Sequence, residues 1–181
     1  HGEQDLGPLA WVLDELRKSL DGAVKATRRF VREAQEVKDS DLAALDSSPL
    51  RTAKQQLHQS CGALEMVGMP QAALLLRAME SAVHHYVQNP ADCTEAVAQT
   101  LEKASFALLE FLEAVLAGKQ ISAVALFPQY RDVQALYGHE SKVHPADLWP
   151  IERRLREPEL RSDVPFAPLS YDPEQRKVLD V

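Results

Sequence analysis

The stretch Leu57-His58-Gln59-Ser60-Cys61-Gly62-Ala63-Leu64-Glu65-Met66-Val67-Gly68 decides the fold class. Read backwards to Ser48, it carries Leu50, Ala53, Leu57, Ser60/Cys61, Leu64 and Val67 on one stripe. That is the spacing of three and four that lines one face of an amphipathic helix. Ser48-Pro49 is a start signal, an N-cap hydroxyl followed by proline at the first helical position. Gly68 is the expected C-terminal cap. His58 stands one step off the buried stripe, so its imidazole is expected at the edge of the protein. Gly62 lies one turn on, on the same face, and a glycine inside a helix needs a packing or access reason. Bare backbone beside an imidazole leaves room for another protein to approach. Lys54 is one turn before His58, Arg51 a further turn back, and Arg77 is a candidate to face it from the next helix.

Working outward, Leu9, Val12, Leu13, Leu16, Leu20, Val24, Phe30, Val31 and Ala34 predict a first long helix over about 9–37, with Gly22 as a possible bend. Asp39-Ser40-Asp41 reads as its stop. Pro70 opens a third helix that ends at Asn89-Pro90. A fourth is predicted from about Cys93 to Leu116, with Val97, Leu101, Ala104, Leu108, Phe111, Leu112 and Val115 inward, closed by Gly118. Short connections imply antiparallel neighbours, hence an all-α, four-helix up-and-down bundle over 1–118. A fifth helical segment, Ser122 to Tyr137, is expected to be interrupted at Pro128. Beyond Gly138 the prolines predict an irregular tail with short helices around Ala146–Leu148 and Pro150–Leu155. Residues 119–181 are therefore read as an extension packed on the bundle through Trp149 and Phe166, leading to a next domain.

Composition narrows the function classes. Hydrophobic residues make up 45% of the chain, enough for a core, and glycine is low at 7. β-branched runs are almost absent, while residues that lose little side-chain entropy in a helix dominate. A net charge of −7, with basic residues interleaved among acids, disfavours nucleic-acid binding. No apolar run approaches the roughly 18–20 residues that span a bilayer, and no signal-peptide pattern opens the chain. Cys61 and Cys93 lack metal-ligand spacing, which points to a reducing, cytoplasmic compartment rather than a disulfide framework. No cofactor is expected, and no phosphate-cradling glycine loop or ATP-binding signature is present.

The remaining polar residues carry weaker signals. His84 and His85 are adjacent on a helix, about 100° apart, and do not form a chelating pair; a solvated surface is expected and no metal site. His139 and His144 fall in a loop with no evident role. Glu102, Glu110 and Glu113 are expected as solvent-face charges, not a catalytic pair. Trp11 and Trp149 are expected as core or tail-docking anchors, and Cys61 as a small, partly buried packing residue.

His58, Gly62, Ala63, Val67 and Gly68 together resemble the histidine phosphotransfer pattern: His-x-x-Lys-Gly, a small residue, then apolar-Gly. The next helix ends its matching stretch in Met79-Glu80, as such domains often do. More narrowly, Leu57-His58-Gln59 with Gly62 to Val67 looks like the N-terminal domain of chemotaxis-like hybrid histidine kinases of the ChpA/PilL type, which regulate twitching motility and type IV pili. The stretches Ala125 to Leu136 and Val143 to Pro150 look like the segment that follows that bundle. The resemblance covers the chain from about residue 6 to the end.

The resemblance implies a two-component signalling module that is not an enzyme by itself. His58 would accept a phosphoryl group and relay it between a kinase catalytic domain and response-regulator receiver domains. Gly62 would supply clearance for docking, and Lys54 and Arg77 are candidate phosphate-side cations. One position departs from the pattern: where the family has lysine, this chain has Cys61, which cannot offset phosphate charge. A degenerate, non-phosphorylated module that docks signalling partners is the alternative.

Overall fold

The computed structural model describes residues 6–37 and 44–150, with side chains for all of these but Glu140. Among them the chain is all-helical: α1 (Gly7–Gln35), α2 (Ser48–Met66), α3 (Pro70–Gln88), α4 (Glu95–Leu116) and α5 (Phe127–Ala135). Short 3-10 turns at Pro90–Asp92, Ala123–Leu126, Glu140–Lys142 and Pro145–Leu148 fill the connections. A compact unit runs through Leu148 and so includes α5 with α1–α4. The Asp39–Asp41 stop, the helix expected at 150–155 and the docking contact of Phe166 lie outside the described residues.

Helix boundaries follow local chemistry. The proline of Ser48-Pro49 does sit in the first turn, but Ser48 is not the cap. Asp46 supplies the acceptor instead, taking hydrogen bonds from the Ser48 amide at 3.0 Å and from the Ser48 hydroxyl. Those two bonds favour the ionised carboxylate and lower its pKa. At the far end Gly68 has φ +84°, a left-handed conformation that a side chain disfavours. It closes a Schellman cap: the Gly68 amide donates to the Glu65 carbonyl and the Met69 amide to the Leu64 carbonyl, at 3.1 and 3.2 Å. Gly118 ends α4 in the same way, with φ +81°.

Two predicted boundaries move for identifiable reasons. Cys93 does not start α4. Pro90–Asp92 form a 3-10 turn that leaves Cys93 extended and buried, and the helix begins only after Thr94. Pro128 does not interrupt α5 but lies in its first turn, where its missing N–H is one of the donors with no intrahelical partner. Ser122 starts the preceding 3-10 turn by accepting from the Val124 amide at 3.1 Å.

The core is a continuous apolar cluster fed by every α-helix. The predicted stripe of α2 is buried at Leu50, Ala53, Leu57, Ser60, Cys61 and Leu64. On α3 burial spreads around more of the helix, through Ala72, Ala73, Leu75, Leu76, Ala78, Met79, Ala82, Val83 and Tyr86. The cause is its position, since α3 packs against α2 on one side and α5 on another. Tyr86 fastens that second side by donating from its hydroxyl to the Leu136 carbonyl at 3.0 Å. Helix α5 also packs on α4, so it occupies the seam between α3 and α4, which touch each other only slightly.

Charge pairs report the directions of the helices. Arg17 pairs with Glu113, and Arg28 with Glu95 and Glu102, so rising numbers on α1 meet falling numbers on α4. Glu102 and Glu113 are thus bridges between helices rather than purely solvated charges. Such half-exposed pairs contribute little each, about 0–1 kcal/mol, beside burial of the leucines, at about 1.5–3 kcal/mol per side chain. Trp11 departs from expectation: it is 67% exposed on α1 and is not a core anchor.

Candidate functional site

The turn Val67-Gly68-Met69 reverses the chain, so α2 and α3 run antiparallel and a register between them follows. Cys61 lies against Arg77 and Ala73, while His58, one turn earlier, lies against Glu80. The His58 side chain is 74% exposed, at the edge where the stripe predicted it. Its Nδ1 is 3.0 Å from one Glu80 carboxylate oxygen and 3.2 Å from the other. Glu80 is only 19% exposed and is held on the more buried α3. A carboxylate in that place accepts a hydrogen bond from Nδ1–H and selects the tautomer whose unprotonated nitrogen is Nε2.

Gly62 is exposed, and a methyl group added there would meet no atom within 4 Å. No packing constraint therefore calls for glycine at this position. One turn beyond it Met66 is 88% exposed, so the outer face of α2 carries His58, Gly62 and Met66 in a row.

The other candidates separate. Cys61 is buried, with its Sγ 3.6 Å from the Ala73 carbonyl oxygen, so it faces the α2–α3 seam and not the imidazole's open face. Arg77 lies beyond the imidazole along the seam, its guanidinium 3.8 Å from the Cys61 sulfur and paired with Glu65. Lys54, on the other side of His58, lines an open hollow of about 500 Å³ together with Glu80, His84, His85, Tyr137 and His139. Lys54 and Arg77 thus flank His58 from opposite directions along α2.

Histidines given no role at first have local ones. His85 packs its ring edge-on against Tyr86 at 4.9 Å between centroids, and His139 stacks at 4.6 Å on Tyr137. His144 accepts from the Ala146 amide at 3.0 Å and so shapes the last 3-10 turn. No group of three or more His, Cys, Asp or Glu among the described residues could hold a metal ion. Burial pushes the Cys93 thiol up to about 12, far from a reactive thiolate.

Glu80 is the partner of His58 that single-helix periodicity did not select; it stands in the sequence reading only as the Met79-Glu80 of the resemblance, and the reversal at Gly68 brings it opposite His58. No described helix is long and apolar enough to cross a membrane. Compared with known proteins, the chain matches no family model, no curated protein and no solved structure.

Proposed function

We propose that this chain is a histidine phosphotransfer-like module of two-component, chemotaxis-type signalling, with α1–α4 as its four-helix up-and-down bundle. The observation that carries the proposal is the exposed His58 ring with its Nδ1 held 3.0 Å from Glu80. Glu80 accepts the Nδ1–H bond and leaves the Nε2 lone pair as the nucleophile. The phosphoryl group comes from ATP in a kinase catalytic domain or from a receiver aspartyl phosphate. The P–O bond to the leaving oxygen breaks as the Nε2–P bond forms. The positive charge that develops on the imidazole is met by the Glu80 carboxylate.

Gly62 and Met66 suit the approach of a receiver domain, one by leaving backbone open and the other by offering an adaptable apolar contact. Lys54 is the better placed phosphate-side cation, because Arg77 is already engaged by Glu65. The ChpA/PilL-type kinases, with their cytoplasmic control of pili and twitching, remain the context suggested by the Leu57 to Gly68 stretch. The test is transfer from acetyl-phosphate-charged receiver domains to the chain. Label should appear on wild type and not on His58→Gln; no histidine-dependent label with several receivers would sink the relay.

A second reading is favoured by Cys61. With the family's lysine replaced by a buried thiol and Arg77 tied to Glu65, the face is a docking surface without chemistry. Receiver binding that survives His58→Ala, without label transfer, is the result that selects it.

A further inference from the structure

The hollow beside the His58–Glu80 pair is bounded by three separate parts of the fold. Lys54 comes from α2, Glu80, His84 and His85 from α3, and Tyr137 and His139 from the turn after α5. Lys54 balances Glu80 there, so the lining carries no formal net charge in a chain that carries a net −7. Lys54 and three imidazoles face a single carboxylate there, and both oxygens of that carboxylate lie 3.0–3.2 Å from His58 Nδ1. Among the described residues Lys54 makes no ion pair, unlike Arg17, Arg28 and Arg77. The imidazoles do not converge as metal ligands, and two of them pack on tyrosine rings. They remain side chains able to donate N–H bonds or to carry positive charge.

From these residues we propose that the hollow binds a compact, multiply charged oxyanion, carboxylate or phosphate, through Lys54 and the imidazoles of His84, His85 and His139. A volume of about 500 Å³ suits a ligand from inorganic phosphate up to a small polycarboxylate. Lys54 supplies the positive charge that faces the anion and the imidazole N–H groups supply hydrogen bonds. Glu80 opposes the anion, and Tyr137 stays a neutral phenol because burial raises its pKa.

The test is a titration of the whole chain with inorganic phosphate and with citrate, at matched ionic strength, followed by NMR of the lysine and histidine side chains. Saturable shifts are expected at Lys54, His84, His85 and His139. Lys54→Gln and His139→Gln weaken binding about fivefold or more, whereas Glu80→Gln tightens it. Retention of binding by His58→Gln makes the site independent of the phosphoacceptor proposal. Shifts that fail to saturate with both anions, or affinity indifferent to Lys54→Gln and Glu80→Gln, would overturn the site.

Discussion

His58 Nδ1 lies 3.0 Å from the Glu80 carboxylate, across the seam between α2 and α3, while the rest of the imidazole stands in solvent. One nitrogen is thereby engaged by the protein and the other is presented outward. That asymmetry is the basis on which a nucleophilic role is proposed for His58.

Glu80→Gln is therefore expected to slow phosphoryl transfer to His58 by about tenfold to a hundredfold, as losses of a carboxylate that orients an imidazole do. Stability should change by no more than about 1 kcal/mol, because the histidine partner is exposed. Single-turnover transfer rates and urea melts on the same samples separate the two effects. A rate loss matched by a loss of folded protein would assign Glu80 to structure alone.

Gly62→Ala tests the access argument by moving two properties in opposite directions. Nothing lies within 4 Å of the added methyl, so the helix gains about 0.5–1 kcal/mol from the better helix former. Docking of a receiver should weaken over the same substitution, read by titration calorimetry. Gly68→Ala makes the contrast, since φ +84° at that position makes it destabilising by about 1 kcal/mol.

Much of the fold was legible in the sequence because apolar spacing is a local signal. Leu50, Ala53, Leu57 and Leu64 face the core as their stripe predicts, and Gly68 and Gly118 end their helices as expected. Contacts that depend on register between helices were not legible. Glu80 opposite His58, Glu113 on Arg17 and the seating of α5 between α3 and α4 arise only when separate helices are brought together. The exposed Trp11 is the converse case: a large apolar side chain whose helix turns it away from the core. Cys61 stands on the α2 stripe with Leu57 and Leu64 and is buried with them, as expected of a packing residue.

Cys61→Lys is expected to cost about 1–3 kcal/mol of stability, since an ammonium enters a buried position near the Arg77 guanidinium. Chemical denaturation reads this directly. A neutral outcome would show that the lysine escapes to the surface, and phosphoryl transfer by that variant would then become the informative measurement.

Cys93 makes a prediction about pH. Burial raises its thiol from an ordinary value near 9 to about 12, so between these values the folded state holds a proton that the unfolded state has lost. The contribution to stability is complete below about pH 9 and is lost as pH rises toward about 12. Cys93→Ala should flatten that alkaline loss in thermal melts across the same window. At neutral pH the Cys93 thiol should resist thiol reagents until the chain unfolds.

The proposed phosphoacceptor is His58, through Nε2. Treating the intact chain with phosphoramidate and following it by phosphorus and nitrogen-15 NMR reads both the residue and the ring nitrogen. An Nε2–phosphoryl signal is expected at His58, forming about tenfold faster than at the other histidines, slowed in Glu80→Gln and absent in His58→Gln. Phosphorylation at Nδ1, or labelling of His58 no faster than of the solvated His84, would contradict it.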